Sequence, residues 1–313
     1  MNKGIVFMKK LFAFLVLPIL ILSSCSSNNQ SIEQLSNDSS TVPFEYSSVS
    51  QDEPIEIEAT KDYKKENKTI YRDNLKIAGE LYIPENDYDV FPLIVLSHGF
   101  GGNMSSTRDD AISFTKQGFA SFVYDFIGGG FSIQSDGQMT EMSVLTEAKD
   151  LNVVIDHLLE DERISSRHIF LLGQSQGGFV STYVAGTRED IRGLIGFYPA
   201  YCIKDDAIEQ YPNADQVPDP YQMSKMGTTL GKIYYTDVTS FDIYEIMEDI
   251  TCDTVIIHGT ADNVVPVRYA QRAAETIPNC EYIEIQGAGH GFSGQAHDTA
   301  MTASFNLLTN NLD

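Results

Sequence analysis

The chain is long and apolar enough for one large α/β domain, and its charge is strongly acidic. It has 313 residues, of which 42% are hydrophobic, with 44 acidic and 21 basic residues giving a formal charge of −23. A field of this sign repels nucleic acid and anionic lipid head groups. The glycines form no GxxxxGK[ST] loop and no GxGxxG after a strand. We therefore expect no nucleotide cofactor, and the absence of any Cys or His pair at ligand spacing leads us to expect no metal.

The first 24 residues have the features of an export signal. Lysines precede an apolar stretch over residues 11–22, which is too short for an ordinary membrane span. The run Leu22-Ser23-Ser24-Cys25 resembles a bacterial lipobox, and that resemblance implies lipidation of Cys25 with cleavage just before it. We therefore expect a lipoprotein signal peptide over residues 1–24 and an extracytoplasmic protein held on a bacterial membrane by lipid. Ordinary secretion with a free Cys25 is the alternative.

Residues 25–54 are expected to be a flexible tether. This stretch is rich in Ser, Asn, Asp and Gln and has few large apolar residues. Such a composition buries too little apolar surface to offset the entropy lost on ordering.

Strands and helices alternate from residue 55 onwards, which we assign to one domain over residues 55–313. A hairpin comes first, followed by continuous apolar runs interleaved with helical periodicity. This alternation predicts an α/β fold with a mostly parallel central sheet and helices on both faces. Right-handed crossovers then bring the loops after the strands to one edge of the sheet. The predicted strands lie at 68–72, 77–83, 93–96, 120–124, 169–172, 193–198, 254–258 and 282–285, and the helices lie near 106–117, 141–159, 267–276 and 298–308 and after residue 175.

The alternation of strand and helix patterns is interrupted at residues 199–240. These residues contain many tyrosines, prolines and aspartates, and they show no clear strand pattern. A long irregular insertion within a compact domain is typical of a lid or binding element. We therefore predict an irregular lid over this range.

The segment Gly173-Gln174-Ser175-Gln176-Gly177 follows a short apolar run and leads into a helix-like stretch. In this context a serine occupies a strained strand-to-helix turn with its hydroxyl exposed. The flanking glycines have a steric reason, since the turn leaves no room for side chains beside it. Ser175 is therefore the predicted nucleophile.

A serine hydroxyl needs an adjacent base, and that base needs an orienting acid. In the strand-turn-helix context the chain order is Ser, acid, His. Asp262 follows the predicted strand 254–258 and His290 follows the last strand, so both fall at the same edge as Ser175. The main rival of His290 is His297, and those of Asp262 are Asp237, Asp242 and Asp253.

Two backbone N–H groups are required where negative charge develops on the substrate oxygen. The residue after the nucleophile, Gln176, supplies one. The other is assigned to Phe100, in the glycine-rich loop over residues 97–103 that follows the first central strand.

Six segments carry a resemblance to a known family; they are 98–103, 124–130, 135–137, 173–178, 258–262 and 289–290. Through them the chain resembles the α/β-hydrolase superfamily from about residue 65 to the end. Within it the chain is most similar to bacterial cinnamoyl or feruloyl esterases with a small inserted lid. The resemblance implies hydrolysis of carboxylic esters, with hydroxycinnamate esters as a substrate class. Since the cofactor-binding motifs named above are absent, we expect no cofactor. In those relatives an aspartate after the Pro-Ala that opens the lid contacts phenolic hydroxyls, which assigns substrate binding to Asp206.

Two other functions remain open at this point. One is a serine peptidase of the same fold acting on short peptides. The other is a non-catalytic ligand-binding lipoprotein, although a pure binder needs no nucleophile, acid, base and oxyanion loop together. The oligomeric state is not assigned.

Cys252 and Cys280 each precede one of the last two strands, which are predicted to be parallel neighbours. A disulfide between them is one hypothesis, since such a bond persists outside the cytoplasm. Free buried thiols are the other.

Overall fold

A computed structural model of the protein describes residues 54–313. The predicted signal peptide, Cys25 and all but the last residue of the predicted tether lie outside this range. Between residues 54 and 313, no helix combines the length and the apolar character needed to cross a membrane.

The described residues form an eight-stranded central sheet. Its strand order is β1-β2-β4-β3-β5-β6-β9-β10, where the strands are β1 (Tyr63–Arg72), β2 (Leu75–Pro84), β3 (Phe91–Ser97), β4 (Ala120–Tyr124), β5 (Ile164–Gln174), β6 (Ile191–Phe197), β9 (Asp253–Gly259) and β10 (Cys280–Ile285). The pairs β1·β2 and β2·β4 are antiparallel, and the remaining pairs are parallel. Every residue of β3 and β4 is buried, because helices cover both faces of the sheet.

Two groups of helices cover the faces. The helices outside the inserted segment are α1 (Arg108–Thr115), α2 (Val144–Leu158), α3 (Gln176–Ala185), α6 (Ile243–Met247), α7 (Arg268–Thr276) and α8 (Gln295–Thr309). Phe114 of α1 and Leu308 of α8 belong to one core cluster, whereas Leu151 of α2 and Phe179 of α3 belong to the other. The predicted mostly parallel sheet, with helices on both faces, is confirmed.

The inserted segment is more regular than the sequence pattern predicts. It contains α4 (Ile203–Gln210), a short hairpin of β7 (Tyr221–Met223) and β8 (Thr228–Leu230), and α5 (Lys232–Thr239). The prediction of an irregular lid without strands was therefore wrong. The elements are only three to eight residues long, so none of them spans enough turns or alternations to show its period.

A polar contact ties this segment to the body of the domain. Ser143 caps α2 by accepting a hydrogen bond from the Thr146 backbone N–H at 3.1 Å. The same hydroxyl donates to the carboxylate of Asp237 in α5. One serine therefore completes a helix N-terminus and holds a lid helix.

Candidate active site

Ser175 occupies the turn between β5 and α3. Its φ and ψ are 53° and −117°, a strained conformation for a residue with a side chain. The backbone comes so close here that a Cβ on Gly173 would lie 2.2 Å from the Gly177 carbonyl oxygen. A Cβ on Gly177 would lie 2.4 Å from the Ser97 carbonyl oxygen. Both glycines are therefore required by the close approach of β3, β5 and α3.

The three residues predicted from three separate loops meet in one hydrogen-bonded series. His290 Nε2 lies 3.0 Å from Ser175 Oγ, and His290 Nδ1 lies 2.8 Å from Asp262 Oδ2. Asp262 follows β9 and His290 follows β10, so parallel neighbouring strands bring them to the same sheet edge as Ser175. This geometry suits proton transfer from the hydroxyl to the imidazole.

Asp262 is held as a carboxylate. Burial raises its pKa, but hydrogen bonds from His258, His290 and the Val265 N–H outweigh burial and keep that pKa well below its usual value. The Val264 and Val265 N–H groups both donate to Oδ1 at 2.8 Å. The carboxylate is therefore charged at neutral pH and fixed in orientation.

The other candidate residues have different partners. His297 Nε2 lies 2.7 Å from Asp110 Oδ1, whereas the imidazole bonded to Ser175 Oγ is that of His290. Asp253 binds the Asn311 side chain at the opposite end of β9. Asp237 accepts from Ser143, and Asp242 caps α6.

Two backbone N–H groups beside Ser175 have no hydrogen-bond partner among residues 54–313. They belong to Phe100, in the loop after β3, and to Gln176, the first residue of α3. The loop of Phe100 is braced by a hydrogen bond from the Gly101 N–H to the Gly129 carbonyl at 3.1 Å. A Cβ on Gly130 would lie 1.9 Å from the Gly102 carbonyl oxygen, so the two glycine-rich loops are packed backbone against backbone.

A cavity of about 320 Å³ opens beside Ser175. Apolar side chains from the body and the lid form much of its wall, and Asp206 and Lys225 also line it. Lys225 Nζ lies 3.0 and 2.8 Å from the two Asp206 carboxylate oxygens, and Cys202 Sγ lies 3.2 Å from one of them. The apolar wall includes Phe100, Tyr198, Ile203, Met223, Tyr234 and Val265.

Sequence reasoning missed Lys225, which pairs with Asp206, and Tyr234, which was one of many lid aromatics. The contact of Lys225 follows from the fold of the β7–β8 hairpin, whose strands are too short to show a pattern. Glu147, a buried acid of α2 that accepts a hydrogen bond from Gln176 Nε2 at 2.7 Å, was also missed. Its helix was assigned only from the period of its apolar residues.

The three cysteines of the described region are free thiols. Cys280 is paired in register with Thr254 of β9. Cys252 lies two residues before Thr254, so the two cysteines are not opposite each other. The disulfide hypothesis was therefore wrong. Burial raises the pKa of Cys252 to about 11, which keeps the thiol protonated.

The fold and part of the sequence match known proteins. A family model described as serine aminopeptidase, S33, matches residues 89–236, which include the Ser175 turn. The structure of Est1E from Butyrivibrio proteoclasticus with bound ferulic acid superposes with a TM-score of 0.70 at 21% identity, over 78% of this chain and 99% of that one. The chain has the α/β-hydrolase fold.

Curated relatives match this chain over shorter stretches. A mitochondrial palmitoyl-protein thioesterase, ABHD10, of Rattus norvegicus is 28% identical over 207 residues, which cover 59% of this chain and 64% of that protein. An uncharacterized 31.7 kDa protein of Escherichia coli is 34% identical over 103 residues, which cover 33% of this chain and 35% of that protein. The matched part thus spans between about a third and two thirds of these relatives' length.

Proposed function

We propose that this α/β-hydrolase is a serine esterase that cleaves carboxylic esters through an acyl-enzyme. The observation that carries the proposal is the hydrogen-bonded series Ser175, His290 and Asp262 beside an apolar cavity. ABHD10 is a thioesterase by its name, and the structure of Est1E holds ferulic acid, a carboxylic acid of the kind that such a reaction releases. Both similarities support this reaction class.

In the proposed mechanism, Ser175 Oγ attacks the ester carbonyl carbon while His290 Nε2 takes the hydroxyl proton. The carbonyl oxygen becomes an oxyanion that receives hydrogen bonds from the Phe100 and Gln176 N–H groups. When the tetrahedral species collapses, the C–O bond to the alcohol breaks and His290 returns the proton to the leaving oxygen. Water then attacks the acyl-enzyme by the same route and releases the acid.

Hydroxycinnamate esters are the proposed substrate class. The apolar cavity wall suits an aromatic acyl group. Asp206 and Lys225 place an acceptor and a donor in that wall, and a phenolic hydroxyl can donate to the carboxylate and accept from the ammonium group. The ferulic acid bound to Est1E, a protein of the same fold, supports this choice.

The first experiment is a turnover panel on the purified protein and on the Ser175→Ala variant. We expect hydrolysis of methyl p-coumarate to exceed that of methyl cinnamate, which lacks only the phenolic hydroxyl. Ser175→Ala should lower kcat by about 10³-fold or more without unfolding the protein. Undiminished ester turnover in the variant would refute the assignment of the nucleophile.

A serine peptidase is the second candidate, because the family model that matches residues 89–236 is described as an aminopeptidase. Aminoacyl anilides in the same panel distinguish the two. Cleavage of the anilides in preference to all esters would transfer the proposal to peptides. A protein that neither turns over any substrate nor reacts with a fluorophosphonate at Ser175 would instead be a binding protein.

A further inference from the structure

The side chain of Tyr234, on lid helix α5, contacts both residues whose backbone N–H groups are the proposed oxyanion donors. Its hydroxyl donates to Gln176 Oε1 at 2.7 Å. Its ring packs edge-on against the ring of Phe100, with centroids 6.2 Å apart. Tyr234 is only 1% exposed, so neither contact competes with solvent.

The other end of the Gln176 side chain is also held. Gln176 Nε2 donates to Glu147 Oε2 in α2 at 2.7 Å. Burial raises the pKa of Glu147 well above its usual value, which favours the neutral form of this carboxyl group. The amide of Gln176 is thus clamped between the body helix α2 and the lid helix α5.

The helix that carries Tyr234 is itself fixed to the body. Asp237 accepts the hydroxyl of Ser143, which belongs to the body. The Lys232 N–H at the start of α5 donates to Asp219 Oδ1 at 2.9 Å, a bond within the lid that fixes the start of this helix. A Cβ on Gly231 would lie 1.9 Å from the Thr140 carbonyl oxygen, so the first turn of α5 is packed tightly against the segment before α2. The position of Tyr234 is therefore determined by the body of the domain.

We infer that Tyr234 is a positioning residue for the oxyanion hole, acting through Gln176 and Phe100 on the two backbone donors. The inference rests on the proposed esterase function. Donors that are already oriented stabilise developing charge without reorganisation, so a loss of orientation weakens transition-state binding more than substrate binding. The lid then contributes to the chemical step as well as to the cavity wall.

The experiment compares Tyr234→Phe with Tyr235→Phe on the ester substrate. Tyr235 is the next residue of α5, is also buried, and donates its own hydrogen bond at 2.8 Å to the Tyr211 carbonyl, away from Ser175. We expect Tyr234→Phe to lower kcat about tenfold with KM within about twofold, and Tyr235→Phe to change neither by more than about twofold. Equal losses in the two variants would overturn the inference, because they would indicate general loosening of the lid.

Two further readouts separate positioning from a structural role. An arylboronic acid, which forms a tetrahedral adduct with Ser175, should bind about tenfold more weakly to Tyr234→Phe, while the product acid binds as to the wild type. In a Gln176→Met background, Tyr234→Phe should cause no further loss of kcat, since the hydrogen bond it removes is already absent. Full additivity of the two changes would contradict action through Gln176.

The outcomes also separate this inference from the proposed function. A wild-type protein without ester turnover would refute the esterase proposal and the inference with it. A wild type that turns over esters, with Tyr234→Phe equal to Tyr235→Phe, would refute the inference alone.

Discussion

At the scale of single residues, the carboxylate of Asp262 has an unusually complete set of partners. One oxygen accepts two backbone N–H groups, and the other lies 2.8 Å from His290 Nδ1 and 3.2 Å from His258 Nε2. His258 is also 2.9 Å from the Val265 carbonyl, so it fixes the loop that carries Asp262. The Val264 N–H, the Val265 N–H and His258 therefore fix the carboxylate in the orientation in which it binds His290.

This arrangement makes the Asp262→Asn variant informative. An amide cannot favour the imidazole tautomer that accepts the serine proton, nor stabilise the imidazolium that follows. We expect kcat to fall by about 10³- to 10⁴-fold, measured on the ester substrate. Asp253→Asn, at the opposite end of the same strand, is the matched control and should retain wild-type activity. A loss below about tenfold in Asp262→Asn would contradict the assigned role.

Residues in local motifs were the predictable part of the candidate site. Ser175 is flanked by glycines that the tight turn requires, and Asp262 and His290 each follow a strand, so chain order and sheet topology place them together. Tyr234 and Glu147 carry no such signal, because they contact Gln176 from 58 and 29 residues away in sequence, respectively. Such contacts depend on the packing of whole elements.

At the scale of elements, Ser143 links the start of α2 to the lid helix α5. Ser143→Ala removes the N-cap and also the hydrogen bond to Asp237. We expect the free energy of unfolding to fall by about 1–2 kcal/mol, measured by urea denaturation. Ser113→Ala, an exposed position in α1, serves as the control and should change it by less than about 0.5 kcal/mol. Equal effects of the two changes would argue against the link.

The longer helices and strands were predicted from the sequence more accurately than the short ones. The apolar runs that became β3, β4 and β9 were assigned to within a few residues, because a strand buried on both faces is continuously apolar. The lid helices and hairpin were missed because each is short and its apolar residues face the body rather than one continuous sheet. The disulfide hypothesis failed for a related reason, since strand register is set by packing and cannot be counted from sequence.

At the scale of the whole molecule, Asp150 joins three parts of the domain. This buried residue of α2 pairs with Arg72 of β1 and accepts the Ile127 N–H after β4 at 2.9 Å. Burial raises its pKa to about 6, although the Arg72 guanidinium and the Ile127 N–H act in the opposite direction. Between its ordinary pKa and about 6, the folded state therefore binds more protons here than the unfolded state.

The contribution of Asp150 to the free energy of unfolding should fall as pH rises from about 4 to about 6 and stay constant above. The change is roughly 3 kcal/mol at most, since one pKa unit corresponds to about 1.4 kcal/mol. Denaturation of the wild type and Asp150→Asn at several pH values measures it as a difference between the two proteins. A difference independent of pH over this window would contradict the prediction.

The strands that precede Ser175 and His290 differ in their number of neighbouring strands and in their burial. Ser175 follows β5, an interior strand with neighbours on both sides. His290 follows β10, which within residues 54–313 pairs with β9 alone and is only partly buried. Edge strands with few buried contacts open at lower free energy than the interior of a sheet. Local unfolding of this edge would separate the base from the nucleophile while the rest of the sheet stays intact. On heating, catalysis is therefore expected to fail before the fold does.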